Sequence, residues 1–217
     1  MDMDVPGAAS GAASAPTHPD IELEPPEWQP RAMWVGARQL CGAACFFFLS
    51  FLFAYFYLRS LDLDRTWKIG HHVTPPTGLG VAIVVVLIAS AALVRLASAR
   101  PELTVRAGGV AVLLALATVA LQAIAWATLS FGPASGGYAS VYIGWTIFYS
   151  VFTLMSVYWI ETQVATAWRS ARNGVGPAPA DVITDVRLTH ANLEACSFFW
   201  SFYVAIGVVT FVILYLV

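Results

Sequence analysis

The sequence predicts an all-α membrane protein: an up-and-down bundle of five transmembrane helices that follows a disordered N-terminal tail. The first observation is composition, because only 11% of the 217 residues are charged and 59% are hydrophobic. A soluble domain carries about 25% charged residues, so lipid must cover much of this surface. The second observation is the stretch Leu40–Arg59, LCGAACFFFLSFLFAYFYLR, in which Arg59 is the only Asp, Glu, Lys, Arg or His. About 20 apolar residues at about 1.5 Å rise match the hydrocarbon core of about 30 Å.

Four further apolar runs of similar length follow this stretch. Short uncharged connections such as FGPASGG indicate that consecutive spans run in opposite directions. The predicted membrane domain is 33–217, and its spans are about 35–58, 78–97, 106–131, 138–168 and 193–217.

The segments outside the spans differ in composition. Residues 1–32 are rich in Ala, Pro, Gly, Ser and acidic residues, so we expect a flexible tail that buries too little to fold alone. This tail has no charged segment followed by an apolar one, so it is not a signal peptide. Asn173–Ala180 is predicted to be a linker, and Asp181–His190 a short surface turn.

The basic residues predict the orientation of the bundle. With the N-terminus in the cytoplasm, three basic residues (Arg59, Arg65 and Lys68) face outside and the remaining eight face the cytoplasm: Arg31, Arg38, Arg95, Arg100, Arg106, Arg169, Arg172 and Arg187. This asymmetry predicts a cytoplasmic N-terminus and an external C-terminus in a multi-pass plasma-membrane protein. The net charge of −2 gives no long-range attraction to nucleic acid, so no nucleic-acid partner is expected.

The sequence predicts no catalytic, cofactor-binding or metal-binding residue in this chain. An intramembrane haem or copper site needs imidazoles inside the bundle, and no histidine lies within a predicted span. Cys41 and Cys45, four residues apart, could in principle hold copper, but no histidine is near them in sequence and we expect them to pack as small apolar side chains. The four histidines are His18, His71, His72 and His190.

Four polar residues remain as candidate polar or lipid contacts: Gln122, Glu161, Glu194 and Arg59. Gln122 is expected to make an interhelical hydrogen bond worth about 0.6 kcal/mol. Glu161 is expected near the interface, hydrated or paired, although a buried carboxylate there would be functional. Glu194 is placed at the start of the last helix, where a carboxylate complements the helix dipole, and Arg59 follows an interfacial aromatic cluster.

Several stretches together resemble subunit III of the haem–copper oxidases, in its short five-span bacterial form. The likeness covers roughly Trp34–Val217. The stretches that carry it are ACFFFLSFLFAYFYLR at 44–59, Pro75 and Pro76 before the second span, LQAIAW at 121–126, Tyr138-Ala139-Ser140, and Phe199-Trp200 with Phe211 and Tyr215.

The chain departs from the family pattern at its embedded polar positions. Ala44 and Ala125 stand where the family has glutamates, and Tyr149 and Phe152 stand where it has histidines. Ser201, Val204 and Gly207 replace a His, an Asp and a Trp. These departures place in doubt the lipid cleft and any proton-feeding role that the resemblance would otherwise imply, but they leave packing against a catalytic subunit.

The resemblance implies a non-catalytic subunit of a bacterial cytochrome c oxidase in the aerobic respiratory chain. Its partners would be subunit I, which holds the haems and copper, subunit II, which takes electrons from cytochrome c, and membrane phospholipids. A subunit III-like component of a quinol oxidase or nitric oxide reductase is the nearest alternative. A small multi-span transporter is a more distant one, disfavoured because charges within the spans are nearly absent.

Overall fold

The computed structural model describes residues 28–62, 67, 74–172 and 180–217, with only the backbone at 29 and 180–187. The greater part of the predicted tail, most of the predicted 173–180 linker, His18, and the adjacent His71 and His72 lie outside these residues.

The described residues form five long α-helices and contain no β-strand. A short 3₁₀ turn, Pro101–Leu103, precedes the third helix, and a π-helical turn, Val212–Leu216, follows the fifth. Each long helix contains a stretch that is long and apolar enough to cross a membrane, so the described residues confirm the predicted number of helices and the all-α class. The helices are α1 Trp28–Ser60, α2 Thr77–Ala99, α3 Thr104–Ala127, α4 Gly137–Arg172 and α5 Ala180–Phe211.

Two predicted boundaries are wrong, both because polar residues continue a helix. The tail was predicted to extend to residue 32, but α1 begins at Trp28. Pro30 lies in its first turn, where a missing N–H costs nothing because it would have no intrahelical partner. The predicted surface turn Asp181–His190 is helical and belongs to α5. It contains neither glycine nor proline, so nothing in its backbone opposes a helix.

Helices α4 and α5 run antiparallel, since Tyr138 bonds Leu214 and Trp159 bonds Asn192, but the order of neighbouring helices does not follow the chain. Trp34 contacts Phe198 with ring centroids 5.5 Å apart, and the Arg59 guanidinium donates to the Val217 carbonyl at 3.0 Å, so α1 and α5 run parallel. The helix α5 packs against α1, α2 and α4, while α3 packs against α2 and α4. Although α1 and α2 are consecutive, α5 therefore lies between them.

The two ends of the bundle differ in composition. We call one the basic end; it contains the start of α1 and the end of α4, and among the described side chains it carries Arg31, Arg38, Arg100, Arg106, Arg169 and Arg172. We call the other the tyrosine end; it contains the end of α1, the start of α4 and the last turns of α5, and it carries Tyr55, Tyr57, Tyr138, Tyr142 and Tyr215.

Candidate functional site

Two tyrosines join α4 to α5 at the middle of the bundle. The rings of Tyr149 and Tyr203 stack with centroids 4.6 Å apart and planes 13° from parallel. The Tyr203 hydroxyl donates to the Tyr149 carbonyl at 2.5 Å, and the Tyr149 hydroxyl donates to the Tyr203 carbonyl at 3.2 Å. The hydroxyl of Thr153 lies 3.2 Å from that of Tyr203. Because a helical carbonyl keeps a second lone pair, both hydroxyl protons are donated within the protein, and each hydroxyl oxygen can still accept a hydrogen bond.

Gly207 is required for this pair. A β-carbon at Gly207 would overlap the hydroxyl of Tyr149 and lie 2.9 Å from its Cζ. The missing side chain therefore provides the space in which the far edge of the Tyr149 ring lies. A glycine that permits close approach of a neighbouring helix is typical of helix contacts in membranes.

A second polar link connects α2, α3 and α5 towards the basic end. The Ser90 hydroxyl donates to the Ala111 carbonyl at 2.9 Å and accepts from the Trp200 indole at 3.3 Å. One turn further along α2, Arg95 Nε donates to the Ser201 hydroxyl at 2.9 Å. Both links use short hydroxyl side chains, which allow the helix backbones to approach closely.

The tyrosine end contains a third set of hydrogen bonds. The Tyr138 hydroxyl donates to the Leu214 carbonyl at 2.6 Å, where the π-helical turn leaves α-helical geometry. The hydroxyls of Tyr142 and Tyr215 lie 2.9 Å apart, and one donates a hydrogen bond to the other. The set is continued onto α3 by the indole of Trp126, which donates to the Thr146 hydroxyl at 2.9 Å.

A cavity of about 40 Å³ lies between α2, α3, α4 and α5 near this end. Its polar lining consists of the side chains of Gln122, Thr146, Tyr149, Thr210 and Tyr215, and its apolar lining of Gly80, Ile83, Val84, Leu87, Gly207, Phe211 and Leu214. This lining, which belongs wholly to described helices, carries no carboxylate, imidazole or cation. The cavity is therefore suited to a small neutral molecule that hydrogen bonds.

Gln122 is the unusual member of this lining. Its side chain is 8% exposed, and its Nε2 makes no hydrogen bond within the part of the chain that the structure describes. The predicted interhelical bond of Gln122 is therefore not formed by its amide donor. Leaving a buried donor unpaired costs about 1–3 kcal/mol, so this amide calls for a partner.

Three other buried donors among the described residues also lack a partner, and all lie toward the tyrosine end. They are the Tyr55 hydroxyl and the indole N–H groups of Trp67 and Trp145. The Tyr55 and Trp67 rings meet edge to face with centroids 5.3 Å apart, and Trp145 stacks on Phe51 at 5.9 Å. Aromatic packing therefore fills this end, whereas hydrogen bonding there is incomplete.

The other predicted polar candidates lie away from the cavity. Glu161 is exposed on α4. The placement of Glu194 at a helix start is wrong, because α5 begins about four turns earlier and Glu194 instead lies 3.6 Å from His190. His190 itself lies on α5 within the apolar stretch Leu188–Leu216, contrary to the prediction that no histidine lies on a span.

All three cysteines have free thiols and form no disulfide. Cys41 and Cys196 are buried, and Cys45 is half-buried. Across the residues that the structure describes, no group of three His, Cys, Asp or Glu side chains could hold a metal ion.

Sequence reasoning missed the Tyr149–Tyr203 pair and the role of Gly207. An isolated glycine inside an apolar helix was the available signal, since it often marks close backbone approach. No protein-family model matches the chain, and no curated protein matches it. A functional assignment therefore depends on the geometry together with the resemblance of particular segments.

Proposed function

We propose that this chain is the non-catalytic, subunit III-like component of a bacterial cytochrome c oxidase, and that it packs against and stabilises catalytic subunit I. One observation carries the proposal: four of the stretches that resemble the family contribute residues to one set of contacts at the tyrosine end, namely Tyr55, Trp126, Tyr138 and Tyr215. In this proposal the haems and copper belong to the partner subunits, and the chain supplies a rigid helical surface in the inner membrane.

The cluster joins stretches that are distant in sequence. Tyr55, from the aromatic first helix, lies with its ring centroid 6.5 Å from that of Tyr138, which opens α4. Tyr138 bonds the last turn of the chain, and Tyr215 from the same turn bonds Tyr142. Trp126, from the LQAIAW stretch, donates a hydrogen bond to Thr146 on α4. Shared aromatic composition alone would not require these particular residues to contact one another, so their contacts support the resemblance.

Several positions at which the chain departs from the family also lie together. Phe48 packs against Tyr149 and Phe152 with centroids 5.7 and 5.8 Å away, and Gly207 accommodates the Tyr149 hydroxyl. Ala44, one turn before Phe48, is buried beside them in the same core. A tightly packed neutral core at these positions supports a scaffolding role, because proton transfer needs groups that gain and lose protons.

An exposed aromatic stripe on α1 is the surface that we propose faces subunit I. Phe46 is 80% exposed and Phe53 is 70% exposed, and Leu49 and Phe56 continue the same helix face. The exposed face of α2, by contrast, is aliphatic, with Val81, Val85 and Ile88. Aromatic residues are enriched at protein interfaces relative to other surfaces. Contact with lipid acyl chains, by contrast, requires only apolar side chains, which aliphatic residues provide.

The membrane side follows from the arginines. We propose that the basic end faces the cytoplasm, because positively charged residues are concentrated in cytoplasmic loops. The α1 N-terminus would then be cytoplasmic, the end of the chain outside, and phospholipids would cover the remaining apolar surface.

The test is purification in mild detergent from the native host through a tag on the N-terminal segment. We expect haem bands in the reduced-minus-oxidised spectrum and co-purification of a large multi-span chain that mass spectrometry identifies as subunit I. Phe46→Ala combined with Phe53→Ala should reduce the recovered haem several-fold, since large aromatic contacts dominate interfaces. The matched control, Val81→Ala with Val85→Ala on α2, should retain it.

The haem type and co-purifying chains also separate the alternatives. A quinol-oxidase or nitric oxide reductase partner would retain the scaffold role but change the electron donor or acceptor. A colourless protein that remains monodisperse, and that is also colourless after purification in native lipid discs, would contradict the proposal.

A further inference from the structure

We infer that the cavity beside Gln122 is a water site, in which ordered water accepts a hydrogen bond from the Gln122 amide and bridges it to hydroxyls on α4 and α5. The inference concerns this chain alone and does not depend on the proposed oxidase partnership.

The Gln122 amide is a buried donor that lacks an acceptor among the described residues. Gln122 is more than nine-tenths buried and lines the cavity, and its Nε2 carries two hydrogens without a partner among the described residues. Buried polar groups are almost always paired with protein or ordered water. A hydrogen-bond acceptor bound in the cavity would remove the free-energy cost of leaving this buried N–H unpaired.

The hydroxyls of Tyr149 and Thr210 also line this cavity. The Tyr149 hydroxyl uses its proton on the Tyr203 carbonyl, and the Thr210 hydroxyl uses its proton on the Ile206 carbonyl at 2.8 Å. Each oxygen keeps lone pairs that accept hydrogen bonds. A molecule that accepts from the amide and donates to these oxygens completes the bonding of all three groups, and water does both.

The volume of the cavity matches a few water molecules. A water molecule needs roughly 10–15 Å³ of cavity volume, and the cavity measures about 40 Å³, which is enough for about three waters. Gly80 keeps α2 close to the last turn of α5, since a β-carbon there would lie 2.7 Å from the Tyr215 ring. The packing of α2 against the end of α5 and the π-helical turn that follows it therefore forms one side of the cavity.

The test uses the full chain, deuterated, uniformly labelled with ¹⁵N, back-exchanged in water and reconstituted in bilayers of deuterated lipid. The sequence contains four glutamines, Gln29, Gln39, Gln122 and Gln163, so the Gln122 signal is assigned by its loss in Gln122→Leu. Solid-state NMR then measures polarisation transfer from water to this amide. We expect transfer several-fold faster than to the backbone N–H of Ala115, which is fully buried on the same helix.

A cavity-filling variant keeps the amide and removes the space. Val84→Leu adds a methylene at the cavity wall and should slow the transfer to Gln122 towards the rate of Ala115. Val85→Leu changes the neighbouring, lipid-exposed position and should leave the transfer unchanged. Helicity and monodispersity of each variant show that it is folded.

Three outcomes decide the inference. Fast water transfer that Val84→Leu suppresses supports it. Slow transfer in the unmodified protein overturns it and identifies a dry cavity. Transfer from protonated acyl chains in a parallel sample, with none from water, also overturns it and identifies lipid as the occupant.

Discussion

The middle of the bundle and its tyrosine end use the same kinds of residue in different ways. At the middle, Tyr149 and Tyr203 exchange hydrogen bonds across a stacked pair, and further towards the basic end Ser90 links three helices. Towards the tyrosine end, three buried donors without a partner in the described chain belong to well-packed rings, those of Tyr55, Trp67 and Trp145, and a fourth, the Gln122 amide, lines the cavity. Burial of an aromatic residue therefore does not by itself satisfy its polar atom, and packing and hydrogen bonding are separate contributions to this core.

The largest expected effect comes from breaking the close approach at the middle. Gly207→Leu should destabilise the folded bundle by about 3 kcal/mol, because added atoms would overlap Tyr149 and force α4 and α5 apart. The measurement is the midpoint of unfolding in mixed micelles with increasing sodium dodecyl sulfate, followed by circular dichroism.

Two further variants control this prediction. Tyr149→Leu in the Gly207→Leu background should recover part of the loss, because the shorter side chain vacates the contested space. Gly109→Ala should be neutral or stabilising, since nothing lies within 4 Å of its β-position. Equal losses for Gly207→Leu and Gly109→Ala would show that glycine flexibility, and not the contact, matters.

An intermediate effect is expected from deleting one hydroxyl in each region. Tyr203→Phe removes a donor that bonds the Tyr149 carbonyl and should cost about 1 kcal/mol. Tyr55→Phe removes a hydroxyl that has no partner in the described chain, and should change stability by less than about 0.5 kcal/mol or improve it. The same unfolding measurement compares the two, and the comparison fails if Tyr55→Phe costs as much as Tyr203→Phe.

The smallest effects are expected at the exposed carboxylates. Glu194→Gln removes the partner of His190 and should cost less than about 0.5 kcal/mol, because side chains near half exposure are screened. Glu161→Gln should leave stability, assembly and the turnover of any co-purifying oxidase nearly unchanged. A large loss of proton pumping in Glu161→Gln would show that this residue is functional rather than interfacial.

The sequence predicted the helices well and the site poorly. Leu40–Arg59 indicated α1 because a long apolar run is recognisable by itself, and the third span differed mainly in ending at Ala127 and not near residue 131. Gln122 was correctly singled out as a polar residue in an apolar helix. That its amide N–H has no protein acceptor among the described residues could not be foreseen, because this depends on the positions of three other helices.

The amino-acid sequence by itself determined the class of the protein, the number of its helices and the concentration of arginines at one end. These are local properties of composition and run length, which need no knowledge of long-range contacts. Only the tertiary structure decided that α5 separates α1 from α2, that Gly207 accommodates Tyr149, and that Gln122 faces a cavity. The physical reason is that these helices are apolar around most of their circumference, so no hydrophobic face indicates which side turns inward. Close packing of small and aromatic side chains makes that choice instead.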